Sequence, residues 1–174
     1  MTQTNAADAA DADNTLLIDL SSGGTVTIEL KPDFAPKHVE RIKTLTNEGY
    51  FNGIILHRVI DGFMAQTGDP TGTGLGGSDY PDLPAEFNEL HHGRGAVSMA
   101  RSSSPDSANS QFFICFKDCG FLDGQYTVWG QVTEGMDHVD NIAKGEPPAN
   151  PDKIVSMRLA SGAVAEEGSE AAAE

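Results

Sequence analysis

Arg58 and Gln66 lie in a stretch otherwise suited to burial, Leu56-His-Arg-Val-Ile-Asp-Gly-Phe-Met-Ala-Gln-Thr-Gly-Asp69. Each brings hydrogen-bond donors that a core would have to satisfy, so their place here asks for a functional reason. Ser110-Gln-Phe-Phe-Ile-Cys-Phe116 sets another amide, Gln111, at the head of an aromatic-rich run, and Phe121-Leu-Asp-Gly-Gln-Tyr126 puts three large apolar side chains on a turn. Apolar groups on a turn suit a ligand pocket, with the nearby donors available to orient what binds there.

Other clusters are weaker. Ser102 to Ser104 would need a base, yet the sequence has no G-x-S-x-G elbow and no Asp-His arrangement to place beside them. His91-His92 is a poor metal site, because neighbouring residues on a strand diverge and no other ligand is near in sequence. Gly72-Thr-Gly-Leu-Gly-Gly77 fits G-x-G-x-x-G, but Pro70 precedes it and Tyr80-Pro-Asp-Leu-Pro84 follows, so no helix can open where a pyrophosphate would sit. It is predicted to be a loop. Cys115 and Cys119 have no second pair or matching His spacing and are expected to be free thiols.

The elements that must position these residues follow from periodicity and turn chemistry. Leu16–Leu20 and Thr25–Leu30 alternate in part around Ser21-Ser-Gly-Gly24 and predict a hairpin. Pro36 opens a helix over 36–48, with Val39, Ile42 and Leu45 on its apolar face and Gly49 as its stop. Asp61-Gly62 predicts a two-residue turn joining the runs Ile54 to Ile60 and Phe63 to Ala65. Strands are expected at Ala96 to Ala100, Ser110 to Phe116, Thr127 to Val132 and Lys153 to Leu159, and a second helical stripe at Met136, Val139, Ile142 and Ala143. Eight short strands, two well-separated helices and no βαβ alternation favour a mainly antiparallel barrel or sandwich. Side chains fill a small closed barrel, so a ligand site must lie on its outside.

The motifs His57-Arg-Val-Ile-Asp-Gly-Phe-Met-Ala-Gln66, Ser98-Met-Ala-Arg101, Ser110-Gln-Phe-Phe-Ile114 and Phe121-Leu-Asp-Gly124 resemble, in order and spacing, those of cyclophilin-type peptidyl-prolyl isomerases, over about residues 15–160. The short bacterial-type members look most similar. The resemblance implies a mainly β fold, a closed eight-stranded antiparallel barrel capped by two α-helices, with an outer groove for Xaa-Pro segments and no cofactor. It implies that Arg58 is the catalytic arginine and Gln66 the groove glutamine. Phe63, Met64, Phe113 and Leu122 become the proline pocket, and Gln111 with the backbone at Ala100, Arg101 and Ser102 the rim that hydrogen-bonds the peptide. Phe121 stands where many eukaryotic members have Trp, and Tyr126 where they have His. Cyclosporin binding is therefore expected to be weak, since the indole N–H is missing at position 121.

The implied activity is cis/trans isomerisation of Xaa-Pro bonds, assisting protein folding, with proline-containing peptides and folding chains as partners. A module that binds such segments without turnover is the competing reading, and Arg58 together with Gln66 favours the enzyme. His57 should point away from Arg58 and serve the structure.

A chain of 174 residues suits one domain, placed here at 15–162. Residues 1–14 carry three Asp, residues 163–174 carry four Glu, and neither has a base or an aromatic. Both are predicted to be disordered acidic tails that aid solubility. A net charge of −15 with only 11 Lys and Arg argues against nucleic acid. No stretch approaches 18 apolar residues and no basic-then-apolar leader opens the chain, so a soluble, cytoplasmic monomer without membrane contact is expected.

Overall fold

Leu16, Ile18 and Leu20 on β1 (Thr15–Leu20) and Val26, Ile28 and Leu30 on β2 (Thr25–Leu30) are all buried, while their neighbours face outward. The antiparallel register sets Leu16 opposite Ile28 and Ile18 opposite Val26, so the alternation lines one inner face. This hairpin lies near the start of the residues that the computed structural model describes, 12–161. Residues 1–11 and 162–174, and with them most of the acidic tails expected at 1–14 and 163–174, lie outside it.

Helix α1 (Pro36–Asn47) buries Val39, Ile42 and Leu45 as its spacing requires. Its first free N–H groups, on Lys37 and His38, donate to the Glu86 carboxylate at 3.1 and 2.9 Å, and Gly49 ends it with a φ of +73°. The remaining elements are β3 (Arg58–Ile60), β4 (Met64–Thr67), β5 (Ala96–Met99), β6 (Phe112–Cys115), a 3-10 turn (Gly120–Leu122), β7 (Val128–Glu134), α2 (Met136–Asp140) and β8 (Ile154–Leu159). The second helix is shorter than its stripe suggested: it stops at Asp140, and Ile142 reaches the core from the following turn.

The strands form one antiparallel sheet in the order β3-β4-β6-β5-β7-β2-β1-β8, curled around a core in which Phe112 packs edge-on against both Phe51 and Trp129. The expected full closure is reduced. Strands β3 and β8 share no ladder, and an isolated bridge between Ile55 and Lys153 joins the segments preceding them.

Strand β6 divides the protein's interior. Phe112 and Ile114 point into the barrel, while Phe113 and Cys115 point to the other face. There they meet Met64, Ala96 and Cys119, with Phe63, Leu122 and Tyr126 against them. This second apolar cluster lies outside the barrel, as a filled interior requires. Cys115 and Cys119 are buried free thiols within it, and burial pushes both thiols up from their ordinary range.

Candidate active site

One transverse row of the sheet carries the polar and apolar halves of the site. Arg58 on β3 pairs with Gln66 on β4, Gln66 with Phe113 on β6, and Phe113 with Ser98 on β5. Directly opposed residues in antiparallel strands project from the same face, so β pairing alone brings guanidinium, amide and phenyl ring side by side.

The turn from β3 to β4 has three residues, not two. Ile60 pairs with Met64, leaving Asp61, Gly62 and Phe63 in the loop, and Gly62 takes a φ of +73°. Phe63 is thereby released from the strand and leans toward the pocket, where its ring lies 5.7 Å from that of Phe121.

Arg58, Phe63, Met64, Gln66 and Phe113, with Ala100, Arg101, Leu122 and Tyr126 opposite, enclose a cavity of about 120 Å³. Ser102 and Gln111 line an adjoining depression that also reaches Gln66, Ala100 and Arg101. Eleven of the twelve residues singled out in the sequence thus surround two connected hollows. Phe121 does not: it is 67% exposed and stands beside Phe63 at the mouth.

The floor and walls are fixed from behind. Phe113 receives Tyr126 edge-on at 5.8 Å, and the Arg101 guanidinium covers the outer face of Tyr126 at 4.5 Å. Arg101 also donates to the carbonyls of Gln125 and Ser102, at 2.7 and 3.0 Å, which pins the loop around 101–103 to the turn after Leu122. Its side chain is therefore a brace rather than a free cation.

Arg58 remains about half exposed. It donates through Nη1 to Gln66 Oε1 at 3.4 Å and through Nε to Glu146 Oε1 at 3.2 Å. Gln66 Nε2 in turn donates to Gln111 Oε1 at 2.9 Å. Polar donors and the apolar cavity therefore share one edge, an arrangement that can hold an apolar ring while presenting N–H groups to the bond beside it.

The supporting roles of Glu146, Asp69 and Asp123 escaped the sequence reading. Glu146 reaches Arg58 from a loop 88 positions away. Asp69 is buried and gathers the N–H groups of the glycine-rich loop. The expectation that His91 and His92 diverge is corrected: both rings meet Asp123, with His91 also bonded to Asp118 at 2.9 Å. Residues 91 and 92 are not in a strand, so the alternation rule does not apply to them.

Burial pushes the His92 imidazole down despite the opposing carboxylate, so it is neutral: Nδ1–H donates to Asp123, and Nε2 accepts from Ser98 at 2.9 Å. Desolvation opposes ionisation of Asp123, but the His92 N–H and the two rings outweigh it and hold its carboxyl at about 2. Asp123 follows Leu122 directly, so this network anchors one wall of the cavity, and the His92 ring stacks 6.2 Å behind Phe113. His57 is buried and lies beneath the glycine-rich loop, close to Gly74.

Residues 15–159 match the family model described as cyclophilin type peptidyl-prolyl cis-trans isomerase. A relative from Brucella suis, named a probable peptidyl-prolyl cis-trans isomerase, is 54% identical over 169 residues, covering 88% of this chain and 86% of its own. Among solved structures, a cyclophilin from Hirschia baltica superposes with a TM-score of 0.79 at 28% identity, over 91% of this chain and 81% of that one. A cyclophilin-type isomerase from Cryptosporidium parvum, solved in the presence of the dipeptide Ala-Pro, gives 0.77 at 31% identity, over 83% and 98%. By its motifs, its curled eight-stranded sheet and these matches, the chain belongs to the cyclophilin-type peptidyl-prolyl cis-trans isomerases.

Proposed function

We propose that the outer groove is where the chain isomerises Xaa-Pro bonds, with Arg58 as its catalytic residue. The observation that carries this is the placement of the Arg58 guanidinium on the rim of an apolar cavity whose other walls are Met64, Phe113 and Leu122.

Amide resonance keeps the Xaa-Pro bond planar, and uncatalysed exchange takes tens to hundreds of seconds. In the twisted transition state that resonance is lost, and the proline nitrogen regains a lone pair able to accept a hydrogen bond. An Arg58 N–H aimed at that nitrogen strengthens only as the bond twists, so it lowers the barrier instead of merely tightening binding. The guanidinium is held in plane by Gln66 and Glu146, which a lysine ammonium could not reproduce.

The cavity of Phe63, Met64, Phe113 and Leu122 grips the proline ring, while Gln66 and the rim backbone at Ala100, Arg101 and Ser102 hold the flanking chain, with the Gln111 side chain bonded behind Gln66. A charge-assisted bond contributes about 1.5–3 kcal/mol, about one to two decades in rate. Binding and orientation must supply the remainder.

The partners in this reading are proline-containing segments of folding or unfolded chains, met by a cytoplasmic monomer. The excess of acid speaks against nucleic acid, and no described helix is long and apolar enough to cross a membrane. Weak cyclosporin binding is expected from Phe121, which offers no N–H.

Exchange spectroscopy by NMR on a short Xaa-Pro peptide tests the reading. Wild-type protein should accelerate exchange, and Arg58→Ala, with its fold checked by circular dichroism, should lose most of that rate. Binding without acceleration by the wild type would make the chain a binding module instead.

A further inference from the structure

We propose that Asp69 is a positioning residue for the groove: its carboxylate locks the 69–77 loop, whose carbonyls fix the Gln111 amide, which in turn orients Gln66. The inference rests on the groove being the isomerase site.

Asp69 is 1% exposed, and its two oxygens are filled by the loop that follows it. Oδ1 accepts from the Thr71 N–H at 2.8 Å and the Thr71 hydroxyl at 2.7 Å. Oδ2 accepts from the N–H groups of Thr73, Gly74 and Gly76 at 3.1, 2.6 and 3.1 Å, and from the Thr73 hydroxyl at 3.4 Å. Desolvation opposes the charge, but the Thr71 hydroxyl and these backbone donors outweigh it and hold the carboxyl well below the usual range. A Cβ at Gly76 would fall 2.1 Å from Oδ1, so only glycine lets the chain close this tightly around the carboxylate.

The clasp turns the opposite side of the loop toward the groove. Gln111 Nε2 donates both its hydrogens to this loop, to Gly74 O at 3.0 Å and Gly76 O at 2.9 Å. Two carbonyl acceptors fix which end of the amide points where, leaving Oε1 facing Gln66 Nε2 at 2.9 Å. Gln66 Oε1 then faces Arg58. The donors of Gln111 are therefore committed within the protein. Gln111 acts as a support for Gln66, and Gln66 is the amide presented to the peptide.

The chain of contacts ends on a binding group, with only a long bond to Arg58 beyond it. Loosening the loop should therefore weaken substrate binding more than it slows the chemical step. Asp69→Asn tests this, since an isosteric amide must aim an NH2 group at N–H donors. Kinetics by NMR exchange at several peptide concentrations, with circular dichroism melts, would be run for wild type, Asp69→Asn, Gln111→Ala, the double variant and Arg58→Ala.

The expected result is a KM raised about tenfold in Asp69→Asn with kcat within about twofold, and a double variant no worse than Gln111→Ala alone, as residues acting in series require. A purely structural Asp69 would lower the melting temperature and leave KM alone. Folded Asp69→Asn with wild-type KM, or losses that multiply in the double variant, overturns the proposal. If Asp69→Asn does not fold, Gly76→Ala, which drives a methyl group into the same carboxylate, replaces it with the same expected readings. A collapse of kcat in Arg58→Ala beside an unchanged KM in Asp69→Asn overturns the latch alone. An unchanged kcat in Arg58→Ala overturns the groove reading itself.

Discussion

Arg58 and Gln66 are cross-strand partners whose side chains touch at 3.4 Å, so the hairpin that holds them also sets the distance between the proposed catalytic cation and the amide beside it. The guanidinium fork needs that geometry. Arg58→Lys should therefore lose about as much rate as Arg58→Ala, about one to two decades in kcat, because a point charge does not restore a directed N–H. Exchange rates by NMR for both variants check this, and recovery by lysine would assign the role to charge alone.

Glu146 is the other partner of Arg58, yet both side chains are about half exposed. Exposed pairs contribute about 0.2–1 kcal/mol, so Glu146→Gln should change kcat/KM less than about fivefold and leave the melting curve nearly unchanged. A loss as large as that of Arg58→Ala would make Glu146 an obligatory orienter.

Phe113 and Phe112 are neighbours with different duties, one under the groove and one in the barrel. Both are buried, so truncating either to alanine should destabilise by about 3–5 kcal/mol. Phe113→Leu, which keeps the apolar volume but changes the pocket floor, should raise KM for a proline peptide, while Phe112→Leu should lower stability without that effect. Calorimetry and peptide titration separate the two.

Phe121 is expected to contribute little to isomerisation, being 67% exposed and outside the cavity wall. Phe121→Trp should leave the isomerisation rate within about twofold while strengthening cyclosporin binding about tenfold, the worth of one added hydrogen bond. Isothermal titration of both proteins decides it.

The elements that were legible in the sequence are those whose physics is local. Leu16, Ile18 and Leu20 alternate, so β1 can be read from its burial pattern, and Pro36 and Gly49 bracket α1. The pocket residues were readable because Arg58, Gln66 and Phe113 fall in short, distinctive motifs. Glu146, Asp69 and Asp123 were not, since each acts through partners brought by the fold: a guanidinium 88 positions distant, the backbone of a loop, and two imidazoles about 30 positions away. The glycines at 72–77 announced a loop, but nothing in their spacing said that a carboxylate would organise it. The three-residue turn at Asp61 to Phe63 was missed because Asp-Gly supports more than one loop length, and pairing of Ile60 with Met64 decided between them.

The histidines give the protein opposed pH responses. Burial pushes His38, His57 and His92 down from their ordinary value, against the pull of Glu86, Asp69 and Asp123 respectively. The folded state therefore resists protonation that the unfolded chain accepts at about pH 6.5. Their stabilising share is fully present above that pH and falls as pH drops below it. His91 has the other sign: hydrogen bonds that its ring donates first to Asp118 and then to Asp123 raise it, so its share is present below about pH 6.5 and is lost as pH rises through the folded value. Urea midpoints compared between about pH 7.5 and 5.5 should fall on acidification, three depressed groups outweighing one raised and exposed one. His91→Gln should steepen the fall by removing the group that responds in the opposite direction, and His57→Asn should make it shallower. A slope unchanged in both variants would locate the acid sensitivity elsewhere in the chain.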